Sequence, residues 1–492
     1  MKALSKKISI LLVAVNLLQW GCKDNFKEIN TNPNSVEKAL PQTLLAPAVT
    51  AIIKSNMARS RSINNELMQV TVDMGDTDYK VFRYDIRGTL ANSMWNEWYP
   101  ELANLRDMYL LAEERLRVAP NDAFNNTYMA ISLVLRSWVF ANLTDMYGDI
   151  PYTEALRVKE GIIYPKFDRQ QAIYEDIFTK LEQANTLLKA NVNLPTDQIT
   201  FDPIYAGNAL KWRKFCNSLY LRLLLRVSAK TELNTVDKIK DILGVSVANY
   251  PIFASNDDSA ILKWTNDIPY QSPFYNMRTS TWTGSKLTEF FVDNLKAWAD
   301  PRLKNWASTY NNGYYGVPSG YAIGNAPVAK SRFLVALQTE PLLGNMMNYA
   351  ELQFILAEAV ARGWTSGSAK TYYDNGISAG ITQWGNTVAA GYTEKAAIVY
   401  NTTADLEEQL EQIHLQKYYA LFYTDFQQWF EYRRTGHPVL PKGDGLENNG
   451  VMPARLNYPV YLNATNKQNL LNAIAIQGPD EIYTQVWWQK SP

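Results

Sequence analysis

A chain of 492 residues with zero formal net charge and 47% hydrophobic side chains has material for a large core and too much apolar content for a disordered chain. Its 48 basic and 48 acidic residues balance, and no basic run extends beyond the N-terminus, which excludes a nucleic-acid binder working by phosphate neutralisation. Histidine occurs only at His414 and His437 and cysteine only at Cys22 and Cys216, so a His-rich metal centre is excluded as well.

Residues 1–21 read as an export signal. Lys2, Lys6 and Lys7 precede the apolar run Ile8–Leu18, which is shorter than the ~20 residues of a spanning helix. Gly21 suits an ordinary signal-peptidase site but Gln19 does not, whereas Gly21-Cys22 matches the end of a bacterial lipobox. Leu18 sits one place early for that motif and Trp20 is bulky. Cys22 is the expected lipidation site, and a diacylglycerol with an added acyl chain exceeds the two-chain threshold for stable anchoring. Cys216 is then left without a disulfide partner and, lacking a nearby His, reads as a core residue.

Apolar spacing predicts helices over about 40–58, 91–117, 123–145 and 205–229. Between them "TVDMGDTD" brings Asp73, Asp76 and Asp78 close, but without the order and distal Glu of a calcium loop it reads as a solvated turn. "DRQQAIYEDIFTKLEQANTLL" starts with Asp168 and Gln171 in capping-box spacing, then runs a stripe of Ile173, Ile177, Leu181, Ala184 and Leu188. Residues about 250–345 are rich in Pro, Gly, Asn and aromatics, with no helical stripe in their most biased stretches, and read as a loop excursion with short strands. "AELQFILAEAVARG" puts Leu352, Ile355, Leu356, Ala359 and Val360 on one face and stops at Gly363. With "AKTYYDNGISAGITQW" it forms an antiparallel pair like a tetratricopeptide unit, although no 34-residue repeat is legible. A helix over about 404–423 follows, then an irregular tail over about 436–492.

Catalytic signatures are scarce: HExxH, GxSxG, P-loop and GxGxxG motifs are absent, and His414 and His437 read as hydrogen-bonded structural residues. No Asp/Glu pair stands out for glycoside hydrolysis, though two carboxylates would suffice for it. Aromatics are the positive signal, at 12% of the chain with 30 Tyr. A ring offers the C–H face of a sugar an apolar platform, and its hydroxyl or indole N–H can bind sugar hydroxyls; the same rings serve peptide surfaces. Trp138, Trp212, Phe354 and Trp429 lie in helical patterns and read as core. Tyr79, Phe82, Tyr84, Tyr270, Tyr275, Trp282, Tyr314 and Tyr315 lie on loops and are the candidate ligand-binding residues.

Six stretches in order resemble the SusD/RagB family of surface nutrient-binding lipoproteins, in particular its SusD-like branch. They are "FKEINTNPNSVEKALPQTLLAPAV" after Cys22, "LTDMYGDIPYTEAL", "AELQFILAEAVARGW", "QKYYALFYTDFQQWFEYRRTGHPVL", "PARLNYPVYLNATN" and the closing "TQVWW". These motifs read as scaffold: Gly148 and Pro151 punctuate a helix end, Asp149 is placed to satisfy loop N–H groups, and Arg433 and Arg434 to bind carbonyls or carboxylates.

The resemblance implies a mainly α protein: a signal over 1–21, then one SusD-like domain over 22–492. That domain combines a tetratricopeptide-like scaffold over about 36–245 and 345–435, the loop-rich ligand-facing excursion with a few short strands, and the irregular tail. It implies a non-enzymatic, cofactor-free lipoprotein on the outer-membrane surface, a lid over a TonB-dependent SusC-like transporter, binding an oligosaccharide. Oligopeptide binding, a surface glycoside hydrolase and a purely structural lid remain the alternatives.

Overall fold

The computed structural model describes residues 39–490, so the signal segment, Cys22 and the "INTNPN" stretch lie outside the described residues. The long helices are α1 (Pro41–Ser62), α2 (Asn92–Val118), α3 (Phe124–Tyr147), α4 (Gln170–Leu188), α5 (Ala209–Arg226), α6 (Glu289–Ala297), α7 (Tyr349–Ala361), α8 (Ala369–Gln383), α9 (Leu406–Ala420), α10 (Gln427–Thr435) and α11 (Lys467–Gln477). Strands are short and pair antiparallel in twos: β1 (Thr71–Val72) with β5 (Lys286–Leu287), β2 (Ile150–Pro151) with β3 (Phe167–Asp168), and β4 (Ala260–Leu262) with β6 (Gly344–Met347).

Helices α1 to α5 pack each against its predecessor, and α3 lies at their centre. From Thr127 to Tyr147 nearly every α3 side chain is buried, the environment expected for a helix that is apolar all round. α3 stops at Gly148, whose φ of 85° suits glycine and where a side chain would run into Gln477. Asp149 then does what its place after the glycine suggests, its Oδ1 accepting from the Gln170 N–H at 2.9 Å and capping α4.

The capping box expected at Asp168 does not form. Asp168 pairs with Ile150 in the β2–β3 ladder, and its Oδ2 accepts from the Tyr152 and Thr153 N–H groups at 3.0 and 2.8 Å. The helix begins two residues later because that extended pairing holds Asp168 outside it.

α7 and α8 form the predicted antiparallel pair, with the Phe354 ring against Gly376, where a Cβ would lie 2.7 Å from the ring. α9 and α10 close over them through a buried ionic hub. Arg434 reaches both oxygens of Glu358 (2.8 and 2.7 Å) and Glu431 (2.8 Å), while Lys417 and Arg226 complete Glu431 at 2.7 and 3.1 Å. Burial opposes the charges on Glu358 and Glu431, but these cations hold both carboxyls well below the usual range. Arg433 donates to the carbonyls of Ala454 and Asp145, so both arginines of the "RRTG" stretch are structural, as their place at a helix end suggests.

The excursion is less separate than its composition suggests. Trp264, Phe274, Trp282, Trp306 and Phe333 belong to the same apolar core as the helices, and α6 forms within it where no helix was expected from the sequence. The tail likewise holds α11 and returns Trp488 to the core, its Nε1 donating to Asp145 at 2.8 Å. Cys216 is buried and weakly bonded to the Leu181 carbonyl, and burial pushes its thiol up, the state of an inert core cysteine. Among the described residues no helix is long and apolar enough to cross a membrane.

Candidate functional site

The β1–β5 pair builds a joint between loops distant in sequence. β1 runs out into residues 73–87, and β5 lies beside residues 314–324, which are held by Val317 N–H to the Leu287 carbonyl and Glu289 N–H to the Val317 carbonyl (both 2.9 Å). A small separate apolar cluster of Val72, Phe82, Val317 and Tyr321 seals the joint, with the Phe82 and Tyr321 rings 4.9 Å apart. Arg83 covers both rings and donates to the Tyr321 carbonyl at 3.3 Å. Asp76 accepts from the Gly324 N–H at 2.9 Å, and residues 443–447 join through Gly445 N–H to Gly320 and Glu447 N–H to Arg83 (both 2.8 Å).

This frame projects Tyr79, which is 54% exposed. Its φ of 61° lies in the left-handed region that a bulky residue enters only when surroundings impose it. Here Asp85 Oδ2 accepts from the Tyr79 N–H at 2.6 Å, and the Arg87 guanidinium stacks 4.6 Å from the ring centroid. Tyr315, 44% exposed, stands on the other loop of the joint. Its backbone is clamped to Ser331, and Lys296 of α6 lies 4.9 Å from its ring. Tyr314 beside it is half-buried against the core.

The other candidates fall elsewhere. Phe82 and Tyr84 are buried within the joint and under it, and Trp282 is fully buried, its indole donating to the Leu334 carbonyl at 2.9 Å and its ring packed on Phe274. These three are core rather than platforms in this conformation. A loop rich in Gly and Asn still buries aromatics when it must seal its own base, and composition alone does not separate the two cases. Tyr270 and Tyr275 lie on a different loop, tied to α1 by Lys54 Nζ to the Pro269 carbonyl at 2.8 Å; Tyr275 is exposed and Tyr270 half-buried. The sequence reading missed Tyr321, Arg83 and Arg87; the "SGYAIGN" stretch carried a signal for the first, while nothing marked the arginines.

Beneath the joint lies a carboxyl pair of opposite character. Glu66, 7% exposed, is pushed up to about 8, chiefly by burial and secondarily by Asp73. Burial opposes the charge of Asp73 too, but Lys80 at 2.7 Å and the Gly75 N–H hold it below its usual value. Such a split can mark an acid and a base, yet Glu66 is buried and takes a hydrogen bond from the Phe82 backbone N–H. The trio Glu358, His414 and Glu431 brings potential ligand atoms within 4.8 Å, but Arg434 and Lys417 already occupy the carboxylates, so the cluster fits an ion-pair hub and not a metal. His414 is held low by burial despite Glu358, while His437 is raised by its bonds to Glu411 (2.7 Å) and Glu407 (3.2 Å) and pins the tail to α9.

A family model described as "SusD-like_2: Starch-binding associating with outer membrane" matches residues 33–459. No curated protein matches the chain. Among solved structures it resembles a SusD homologue from Bacteroides fragilis, with 27% identity and a TM-score of 0.77 over 92% of this chain and all of that one. A structure named as a chitin-binding protein aligns at 25% identity and TM-score 0.74, over 91% of this chain and 99% of that one. A chitin-binding SusD homologue from Flavobacterium johnsoniae, at 21% identity and TM-score 0.76 over 92% and 99%, shares the fold.

Proposed function

Because the chain belongs to the SusD-like family, whose model matches residues 33–459, we propose that it is a non-catalytic, lipid-anchored glycan-binding protein of the outer-membrane surface. It captures an oligosaccharide and delivers it, as a lid, to a TonB-dependent SusC-like transporter. The observation that carries the binding reading is Tyr79: an exposed ring, backed by Arg87 and fixed in a left-handed backbone, on the joint that also carries Tyr315. Rings held rigid at a surface are what stacking on sugar C–H faces requires, and preorganisation lowers the entropy cost of binding. The names of the chitin-binding relatives support a glycan over a peptide.

Glycan arrays followed by calorimetry on the purified chain test this reading. Binding to one glycan class, weakened by Tyr79→Ala and Tyr315→Ala, is expected; silence on every glycan with binding to oligopeptides overturns it. Release of reducing ends from a polysaccharide, abolished by one Asp or Glu substitution, would establish a hydrolase instead. Anchoring rests on Cys22, and Cys22→Ser is expected to leave the protein soluble or unprocessed when cells are fractionated.

A further inference from the structure

Away from the joint, two cavities of about 420 and 440 Å3 adjoin along the side of α8, meeting at Asn256, Asp257 and Thr382. Each lies in the size range of small-molecule sites, roughly 300–1,000 Å3. One wall is the last half of α8 and the other is the segment 254–263, with residues 203–205, Lys211 and Leu342 closing the second cavity. Asn256 braces the walls, its Nδ2 donating to the Ala379 carbonyl at 3.0 Å and to Thr382 Oγ1 at 3.1 Å. The small side chains of Ser378 and Ala379 recess the α8 wall on one side of this brace.

The lining chemistry is specific in kind. The Asn375 amide, the Ser378 hydroxyl, the Asp257 carboxylate and the Lys263 ammonium all face these cavities and have no side-chain partner among the described residues. Most other polar groups around them are spent: Thr382 on Asn256 and the Ser378 carbonyl, Ser259 on the Tyr349 N–H, Lys211 on the Asp257 carbonyl. Charges of both signs line the groove, so it selects for neither anion nor cation. Half-buried Tyr349 and mostly buried Tyr205 supply its rings. Pro203, Ile204, Ile261 and Leu342 add apolar surface to the second cavity, and a neutral ligand dense in hydroxyls finds donors and acceptors beside it.

From this we infer that the groove between α8 and segment 254–263 is a second, weaker saccharide site, separate from the Tyr79 joint. The inference rests on the glycan reading above, and the groove holds a short neutral oligosaccharide chiefly by hydrogen bonds.

Native mass spectrometry of the full chain with chitotetraose and with maltoheptaose, backed by calorimetry, counts the sites. Two bound ligands are expected with one of these probes, the second at least tenfold weaker. Ser378→Trp, which fills the groove, removes the second ligand; Asn375→Ala with Asp257→Ala, which trims unpartnered side chains without touching the core, weakens it at least fivefold. Tyr79→Ala with Tyr315→Ala removes only the tighter ligand. A single ligand lost with the tyrosines and unaffected by both groove variants overturns the second site and leaves the joint standing. A single ligand lost only with the groove variants overturns the joint instead. No bound ligand with either probe up to millimolar concentration overturns the groove site.

Discussion

The buried hub at α7, α9 and α10 and the Tyr79 joint both place charges beside aromatic rings, yet to opposite ends. In the hub, Arg434, Glu358, Glu431, Lys417 and Arg226 neutralise one another's charges out of water. In the joint, Arg83 is committed inward while Arg87 holds a ring that points outward. The difference separates two uses of the same residue types: the hub fixes how helices meet, and the joint leaves a fixed ring at the surface.

Breaking the hub has the largest expected effect. Arg434→Ala removes the cation shared by buried Glu358 and Glu431, leaving Glu358 with Arg362 and His414 and Glu431 with Lys417 and Arg226. It is expected to cost about 3 kcal/mol of stability, read as a lower denaturant midpoint, with glycan affinity of the folded fraction unchanged. Glu66→Gln addresses the base of the joint. The Glu66 carboxyl is near 8 when folded against an ordinary 4.5, so the folded state keeps a proton that the unfolded chain loses. Its contribution is fully present below pH about 4.5 and lost as pH rises through about 8. The glutamine mimics the protonated form, so the variant should match the parent at pH 4 and exceed it at pH 9, by up to about 5 kcal/mol. Equal alkaline loss in both proteins would show that Glu66 ionises freely.

On the joint's outer face the effects move from stability to affinity. Tyr79→Ala is expected to weaken glycan binding about tenfold, some 1.4 kcal/mol, while changing stability by no more than about 0.5 kcal/mol. A large fall in melting temperature with unchanged affinity would reverse the roles assigned to the two regions. Arg87→Ala, removing only the cation behind the ring, should weaken binding about two- to fivefold, with Arg87→Lys recovering part of it by calorimetry.

The helices were legible because their apolar stripes repeat at 3.6 residues: α3, α4 and the α7–α8 pair fall where Trp138, Ile173 and Phe354 placed them. Local chemistry was legible only where no tertiary contact competes. Asp149 caps as its place after Gly148 suggests, while Asp168 is drawn into a strand pairing with Ile150, 18 positions earlier. The candidate site was half legible. Tyr79 and Tyr315 are exposed, but Phe82, Tyr84 and Trp282 share their composition and are buried, because burial there depends on which distant loop covers the ring. Arg87 carried no signal, since stacking on a ring eight residues earlier follows from the turn's path and not from the residue types.

Asp145, deep in the first half of the chain, receives its hydrogen bonds from Tyr174, Arg226 and Trp488, and Asp425 accepts from Asn56 of α1 at 2.6 Å. The centre of the molecule is therefore completed by residues near its end, Trp488 among them. Pairings of such long sequence separation carry a heavy loop-closure cost and slow folding. A chain whose central hydrogen bonds join its first half to its last residues gains its cooperative core late, because these contacts have the longest loops to close.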